Sequence, residues 1–155
     1  MKQTLLALAA LAALIPVLAA CDDTVGNSLG TQPTSSGAIT LENPTTTASG
    51  LKFTDQKVGD GASAETATSV TVHYTGKLAS NGKVFDSSRT RGVPATFATN
   101  GVISGFAEAI KTMKVGGQRT ALLPARLAYG ANPPPGSGIP ISADLIFEIE
   151  LIAVK

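Results

Sequence analysis

Tryptophan is absent from this chain of 155 residues, and cysteine and histidine occur once each. One Cys cannot close an internal disulfide. One Cys with one His also falls short of the Cys/His sets that hold structural zinc, so composition leaves open only an oxygen-ligand calcium or magnesium site. Charge of one sign is lacking too: 12 Lys+Arg against 11 Asp+Glu give a formal net charge of +1, which offers no general attraction to nucleic acid. Two Tyr and five Phe are the only rings, whereas 16 Gly and 9 Pro are plentiful. Few large rings and many turn formers argue for a turn-rich fold and against a helical bundle or coiled coil. The length excludes two large domains and leaves room for one domain plus extras.

Long hydrophobic runs are missing as well. The uncharged stretch from Leu5 to Ala20 follows Lys2, contains Pro16, and is short of the roughly 20 apolar residues that span a bilayer. Residues 1–20 therefore read as a signal peptide. The stretch ends Leu18-Ala19-Ala20-Cys21, which resembles the lipobox of bacterial lipoproteins. That resemblance implies export, lipidation of Cys21, and anchoring to a membrane of the cell envelope, since each buried lipid methylene contributes about 0.8 kcal/mol. The plainer alternative is an ordinary signal peptide with Cys21 as a stray thiol. Residues 21–49 are rich in Ser, Thr, Gly, Asn and Pro, carry no Lys or Arg, and read as a flexible tether.

From about residue 50 the pattern changes. Val70, Val72 and Tyr74 alternate with polar neighbours, as a strand with one buried face requires, which points Tyr74 inward and His73 outward. Leu145, Phe147, Ile149 and Leu151 repeat the pattern with Glu148 and Glu150 outside. Ile103, Phe106, Ala107 and Ile110 keep helical spacing, with Ser104 near the start and Gly116-Gly117 as the expected stop. Arg119 to Leu123 suggests a further strand ended by Pro124. The predicted fold is α+β, a curved antiparallel sheet wrapped on one short helix.

The segment Val72-His73-Tyr74-Thr75-Gly76-Lys77-Leu78, then Asn81-Gly82-Lys83-Val84-Phe85-Asp86-Ser87-Ser88-Arg89, resembles the opening half of the FKBP-type peptidyl-prolyl cis-trans isomerases. Gly101 to Phe106, Met113 to Gly117, Leu127-Ala128-Tyr129-Gly130 and Leu145 to Leu151 follow in the family's order, so the resemblance covers residues 50–155. It implies an FKBP-like half-open barrel, X-Pro isomerisation without metal or cofactor, and a cleft that accepts a proline side chain. By resemblance, Asp86, Tyr129 and Phe85 are the catalytic candidates, and Tyr74, Val102, Ile103, Phe106, Ile139 and Phe147 bind substrate, with Arg91 neutralising Asp86. Phe106 stands where most members carry Trp, which implies a shallower floor. Ala95 stands where many carry an aromatic wall, which implies a more open side.

Taken singly, these residues have plainer readings. Asp86-Ser87-Ser88 organises a turn through side-chain to backbone bonds, and Phe85, Phe106 and Phe147 are ordinary core rings. Gly101-Val102-Ile103-Ser104-Gly105 lacks the spacing of a serine-hydrolase turn, and Gly59-Asp60-Gly61 lacks the Lys-Ser/Thr of a phosphate loop. Pro133-Pro134-Pro135 falls at the family's rim loop and is weak as a polyproline ligand. The implied partners are Pro-containing polypeptides, macrolide inhibitors, and a membrane through the lipid. No nucleic acid and no second copy of the chain is expected. The alternative function is a membrane-tethered chaperone module that holds proline peptides with little turnover.

Overall fold

The alternating pattern around Tyr74 becomes the central strand of the sheet, and the one around Phe147 becomes its neighbour. The structure is a computed structural model that describes residues 41–155. The signal peptide, Cys21 and the tether up to residue 40 lie outside the described residues. In chain order the elements are β1 (Thr45–Thr46), β2 (Lys52–Lys57), β3 (Ser69–Leu78), β4 (Val84–Ser87), α1 (Ser88–Arg91), β5 (Ala95–Ala98), α2 (Ser104–Lys111), β6 (Gln118–Leu123) and β7 (Leu145–Val154), with a single 3-10 turn at Ala125–Leu127.

The seven strands form one antiparallel sheet in the order β1-β2-β6-β7-β3-β4, and β5 also pairs with β3. The β3–β7 ladder runs from Val70↔Val154 to Leu78↔Leu145. In both strands the apolar set faces α2: Val70, Val72, Tyr74 and Leu78 from β3 meet Leu145, Phe147, Ile149 and Leu151 from β7 in the buried core. A one-residue slip would turn that set to solvent, so burial specifies the register. α2 closes the core with Gly105, Phe106, Ala109 and Ile110, one face of a helix. Gly105 permits that approach, because a Cβ there would lie 2.7 Å from Leu123 Cγ and 2.9 Å from the Leu127 carbonyl oxygen.

Two expectations are corrected. α2 ends at Lys111 with Thr112 as its cap, before Gly116-Gly117. Arg119, buried on the inner face of β6, donates to the Ala109 carbonyl at 2.6 Å and to Thr112 Oγ1 at 2.5 Å, so a cation satisfies the helix C-terminus. The same guanidinium holds Asp55 through bonds of 2.6 and 2.9 Å and lies 3.8 Å over the Phe53 ring. Gly116 and Gly117 serve the sheet instead: the Gly116 N–H donates to the Leu151 carbonyl at 2.8 Å, with φ of +87°. The tether expected over residues 21–49 is also too long at its C-terminal end. Thr45 and Thr46 pair with Phe53 and Lys52, and the Ser49 hydroxyl reaches the Glu108 carboxylate at 2.8 Å. The backbone there gains order from the open edge of β2, which composition does not register.

Candidate active site

The pleat of β3 points Tyr74 into the concave side of the sheet, and the pairing at its end sets the next two side chains. β4 pairs Gly76 with Asp86 and Lys77 with Val84, so Phe85 is the extra residue of a β-bulge. Consecutive residues of a regular strand face opposite sides; the bulge re-aims one of them, and Phe85 and Asp86 both line the same hollow. Ser87 caps α1 by accepting from the Thr90 N–H at 3.3 Å, and Gly92, left-handed at φ 71°, ends the turn that carries Arg91 back toward Asp86.

The hollow has a volume of about 250 Å³. Tyr74, Phe85, Phe97 and Phe147 enter it from the sheet, and Phe106 from α2. Gly101, Val102 and Ile103 bound it on the approach to α2, and Tyr129 closes it from the loop after β6. Six of the chain's seven aromatic residues, from two Tyr and five Phe, therefore meet around one space. Phe106 is 4% exposed, with ring centroids 5.2 Å from Phe147, 5.9 Å from Phe97 and 6.1 Å from Tyr74. Phe85 lies edge-on to Phe147 at 5.7 Å. These edge-to-face contacts hold the rings beyond simple area burial.

The polar groups sit on one side. The Tyr74 hydroxyl donates to Asp86 Oδ2, Arg91 donates to Asp86 Oδ1, and Arg91 Nη2 donates to the Tyr74 oxygen at 3.1 Å. Burial alone pushes the Asp86 carboxyl up, but the hydrogen bonds from Tyr74 and Arg91, with the guanidinium charge, outweigh it and hold the group below its ordinary value. Tyr74 is raised by burial and then by its bond to Asp86. Tyr129 is raised by burial and by the Asp86 charge. Among the described residues neither the Tyr129 hydroxyl nor the Ile103 N–H has a hydrogen-bond partner, so both are free to donate to a ligand.

Of the residues singled out from the sequence, Tyr74, Phe85, Asp86, Val102, Ile103, Phe106, Tyr129 and Phe147 come together, and Arg91 stands at the rim. Ile139 does not line the hollow: it is 8% exposed within the hydrophobic core. The turn through Gly138, at φ 69°, and the Ile139 N–H bond to Ser137 Oγ at 3.3 Å carry it inward. Phe97 and Gly101 line the hollow without having been singled out as site residues, and Phe97 is the one that adds a ring. Ala95, on the same short strand, is not part of the lining, and the Phe97 ring, 5.6 Å from Tyr74, supplies a wall there.

A sequence model described as "FKBP-type peptidyl-prolyl cis-trans isomerase" matches residues 61–152. The chain belongs to this family. It is 44% identical over 115 residues to an FKBP-type peptidyl-prolyl cis-trans isomerase, FkpA, from Aeromonas hydrophila, covering 74% of this chain and 41% of the relative. It is 45% identical over 113 residues to the FKBP-type 22 kDa peptidyl-prolyl cis-trans isomerase of Escherichia coli, covering 73% of this chain and 54% of that one. The chain thus spans about half the length of these curated relatives. Among solved structures, FkpA from Escherichia coli superposes with a TM-score of 0.68 at 38% identity, over 74% of this chain and 53% of that one. The peptidyl-prolyl cis-trans isomerase of Pseudomonas syringae superposes at 0.65 and 35% identity, over 72% and 80%. The open antiparallel sheet with few helices is the FKBP-like fold.

Proposed function

We propose that this FKBP-type chain accelerates rotation about X-Pro bonds in exported polypeptides, tethered to an envelope membrane by a lipid on Cys21. The observation that carries the activity is the convergence of six aromatic rings on one hollow whose one carboxylate among the described residues, Asp86, is already engaged by Tyr74 and Arg91. A carboxylate so committed is a poor nucleophile or base, and the reaction needs neither. An X-Pro bond prefers trans by about 0.5–1 kcal/mol yet crosses between isomers in tens to hundreds of seconds. The obstacle is amide resonance, a barrier of about 18–20 kcal/mol.

The planar amide is more dipolar than the twisted one, so transfer from water into an apolar hollow costs the planar state more. Phe106 supports the pyrrolidine ring from below while Phe147, Phe97 and Tyr74 exclude water around it. The Ile103 N–H and the Tyr129 hydroxyl donate to carbonyls of the bound chain, which fixes one side of the bond while the other turns. The depressed Asp86 carboxyl keeps its charge and orients Tyr74 beside the rotating amide. A millionfold acceleration asks for about 8 kcal/mol of differential stabilisation, shared among desolvation, ring clamping and these hydrogen bonds. The same hollow is the expected seat of macrolide inhibitors, and the chain is expected to act as a monomer.

A protease-coupled assay on a proline peptide tests the activity. The full chain is expected to accelerate the slow phase; binding of the peptide with no rate gain would leave only the holding function. The tether is tested by Cys21→Ser, which is expected to move the protein out of the membrane fraction, and unchanged fractionation would contradict it.

A further inference from the structure

The edge of β3 that faces away from β7 is shared by two short strands. β5 pairs with it from Ser69 to Val72 and β4 from Thr75 to Lys77, so His73 and Tyr74 have no strand neighbour on that side. In that interval the chain leaves the sheet as α1, whose first residue, Ser88, is 0% exposed. Ser88 Oγ accepts from the Tyr74 N–H at 2.8 Å, donates to the Tyr74 carbonyl at 3.2 Å, and lies 3.1 Å from His73 Nδ1. One hydroxyl thus meets both main-chain groups that a neighbouring strand would bond at Tyr74, and the carbonyl also accepts a longer bond from Ser87 Oγ at 3.4 Å. The single donor and two acceptor positions of the Ser88 hydroxyl are all used when His73 carries its proton on Nδ1.

We propose that Ser88 is a positioning residue for the isomerase site, standing in for the absent strand at Tyr74 and so fixing the Tyr74 hydroxyl and the Arg91 guanidinium on the Asp86 carboxylate. The inference rests on reading the hollow as a prolyl isomerase site. Ser88 does not line that hollow and acts only through others. Its grip on the Tyr74 main chain sets the height at which the Tyr74 ring leaves β3. Because Ser88 opens α1 and Arg91 closes it, pinning the first turn to β3 also places the guanidinium. Between Ser88 and Asp86, Ser87 is bonded to Thr75 Oγ1 at 2.9 Å, so the segment has little slack. Removing the Ser88 hydroxyl leaves the buried Tyr74 N–H without a partner and its C=O with only the longer bond from Ser87 Oγ at 3.4 Å, and the chain relieves this by letting β3 and α1 part.

The test follows the Asp86 carboxyl titration by NMR, together with kcat/KM, in the full chain. Ser88→Ala is compared with Ser88→Cys, which keeps the bulk but bonds weakly, and with Thr71→Val, which removes a hydroxyl pair of 2.9 Å from the outer face of the same strand. Ser88→Ala and Ser88→Cys are expected to raise the Asp86 titration toward its ordinary 3.8 and to lower kcat/KM about tenfold, the effect of one lost hydrogen bond, while Thr71→Val changes neither. A folded Ser88 variant that melts earlier but keeps both readouts would overturn the proposal. If Ser88→Ala does not fold, Ser88→Cys decides. In the unmodified chain the Tyr74 amide is expected to exchange with solvent as slowly as its strand-paired neighbours, and fast exchange would overturn the proposal without any variant. A wild type with no isomerase activity would sink the functional reading, while the titration and exchange results would still judge Ser88.

Discussion

Gly76 leaves the space that the Phe85 ring occupies: a Cβ built on it would lie 2.5 Å from Phe85 Cζ and 3.0 Å from Phe147 Cε1. The absent side chain on β3 therefore lets two rings meet edge-on across the sheet and form one wall of the hollow. Gly76→Ala is expected to push Phe85 into the space a proline would take. Overpacking of this kind costs about 1–3 kcal/mol of stability. The larger effect should fall on the site, with kcat/KM reduced about tenfold or more by the misplaced wall. Thermal melts beside isomerase kinetics would separate the two, and kcat/KM at the wild-type level would refute the placement.

The Asp86 carboxyl, held below its ordinary 3.8 despite the opposing effect of burial, gives the Tyr74–Asp86–Arg91 trio a definite pH dependence. A group with a lowered folded value contributes stability that is fully present above its unfolded value and is lost as pH falls through the folded value. The difference in Tm between wild type and Asp86→Ala should therefore be constant from pH 7 to about pH 5 and close only below the ordinary carboxylate range. Its size should be small, because the Asp86 side chain is 41% exposed. A difference that changed near neutrality would assign the effect to another group.

Phe106 is the floor, packed on three rings but open above to the hollow. Phe106→Trp adds ring area on the open side, so a proline peptide should bind a few-fold tighter while kcat moves less. Titration calorimetry with a proline peptide beside steady-state kinetics reads both quantities. Weaker binding would show that the floor has no room to grow.

The strands of this fold were legible because β3 along its length and β7 from Phe147 to Leu151 alternate buried with more exposed residues, although β7 opens with Leu145, Ile146 and Phe147 all buried. The eight site residues that meet were legible only through several motifs in family order, since Phe85, Phe106 and Phe147 are chemically indistinguishable from core rings. What escaped has a physical pattern. Phe97 sits in a strand of four residues, too short for a period to show. Phe85 and Asp86 share a hollow because of a bulge, which is a property of pairing and not of either residue. Arg119 is buried, against the habit of its type, because Asp55, Thr112 and the α2 terminus lie within reach only after folding.

Arg119 also gives a test of fold apart from site. Arg119→Leu strands the Ala109 carbonyl and Asp55 while touching nothing in the hollow. Breaking a fully buried pair costs about 3–5 kcal/mol, and because Asp55 remains 30% exposed the expected loss is about 2–3 kcal/mol. Chemical denaturation measures it, and kcat/KM of the folded fraction should not change. A fall in kcat/KM would mean that the clamp on α2 reaches Phe106.

The central claim is that a dry ring-lined hollow favours the rotated prolyl amide over the flat one. Its most direct test compares the affinity of the chain for a proline peptidomimetic locked in a twisted amide geometry with that for the matched planar peptide. A transition-state-like ligand should bind about a hundredfold tighter or more. Equal affinity for the two would contradict the account.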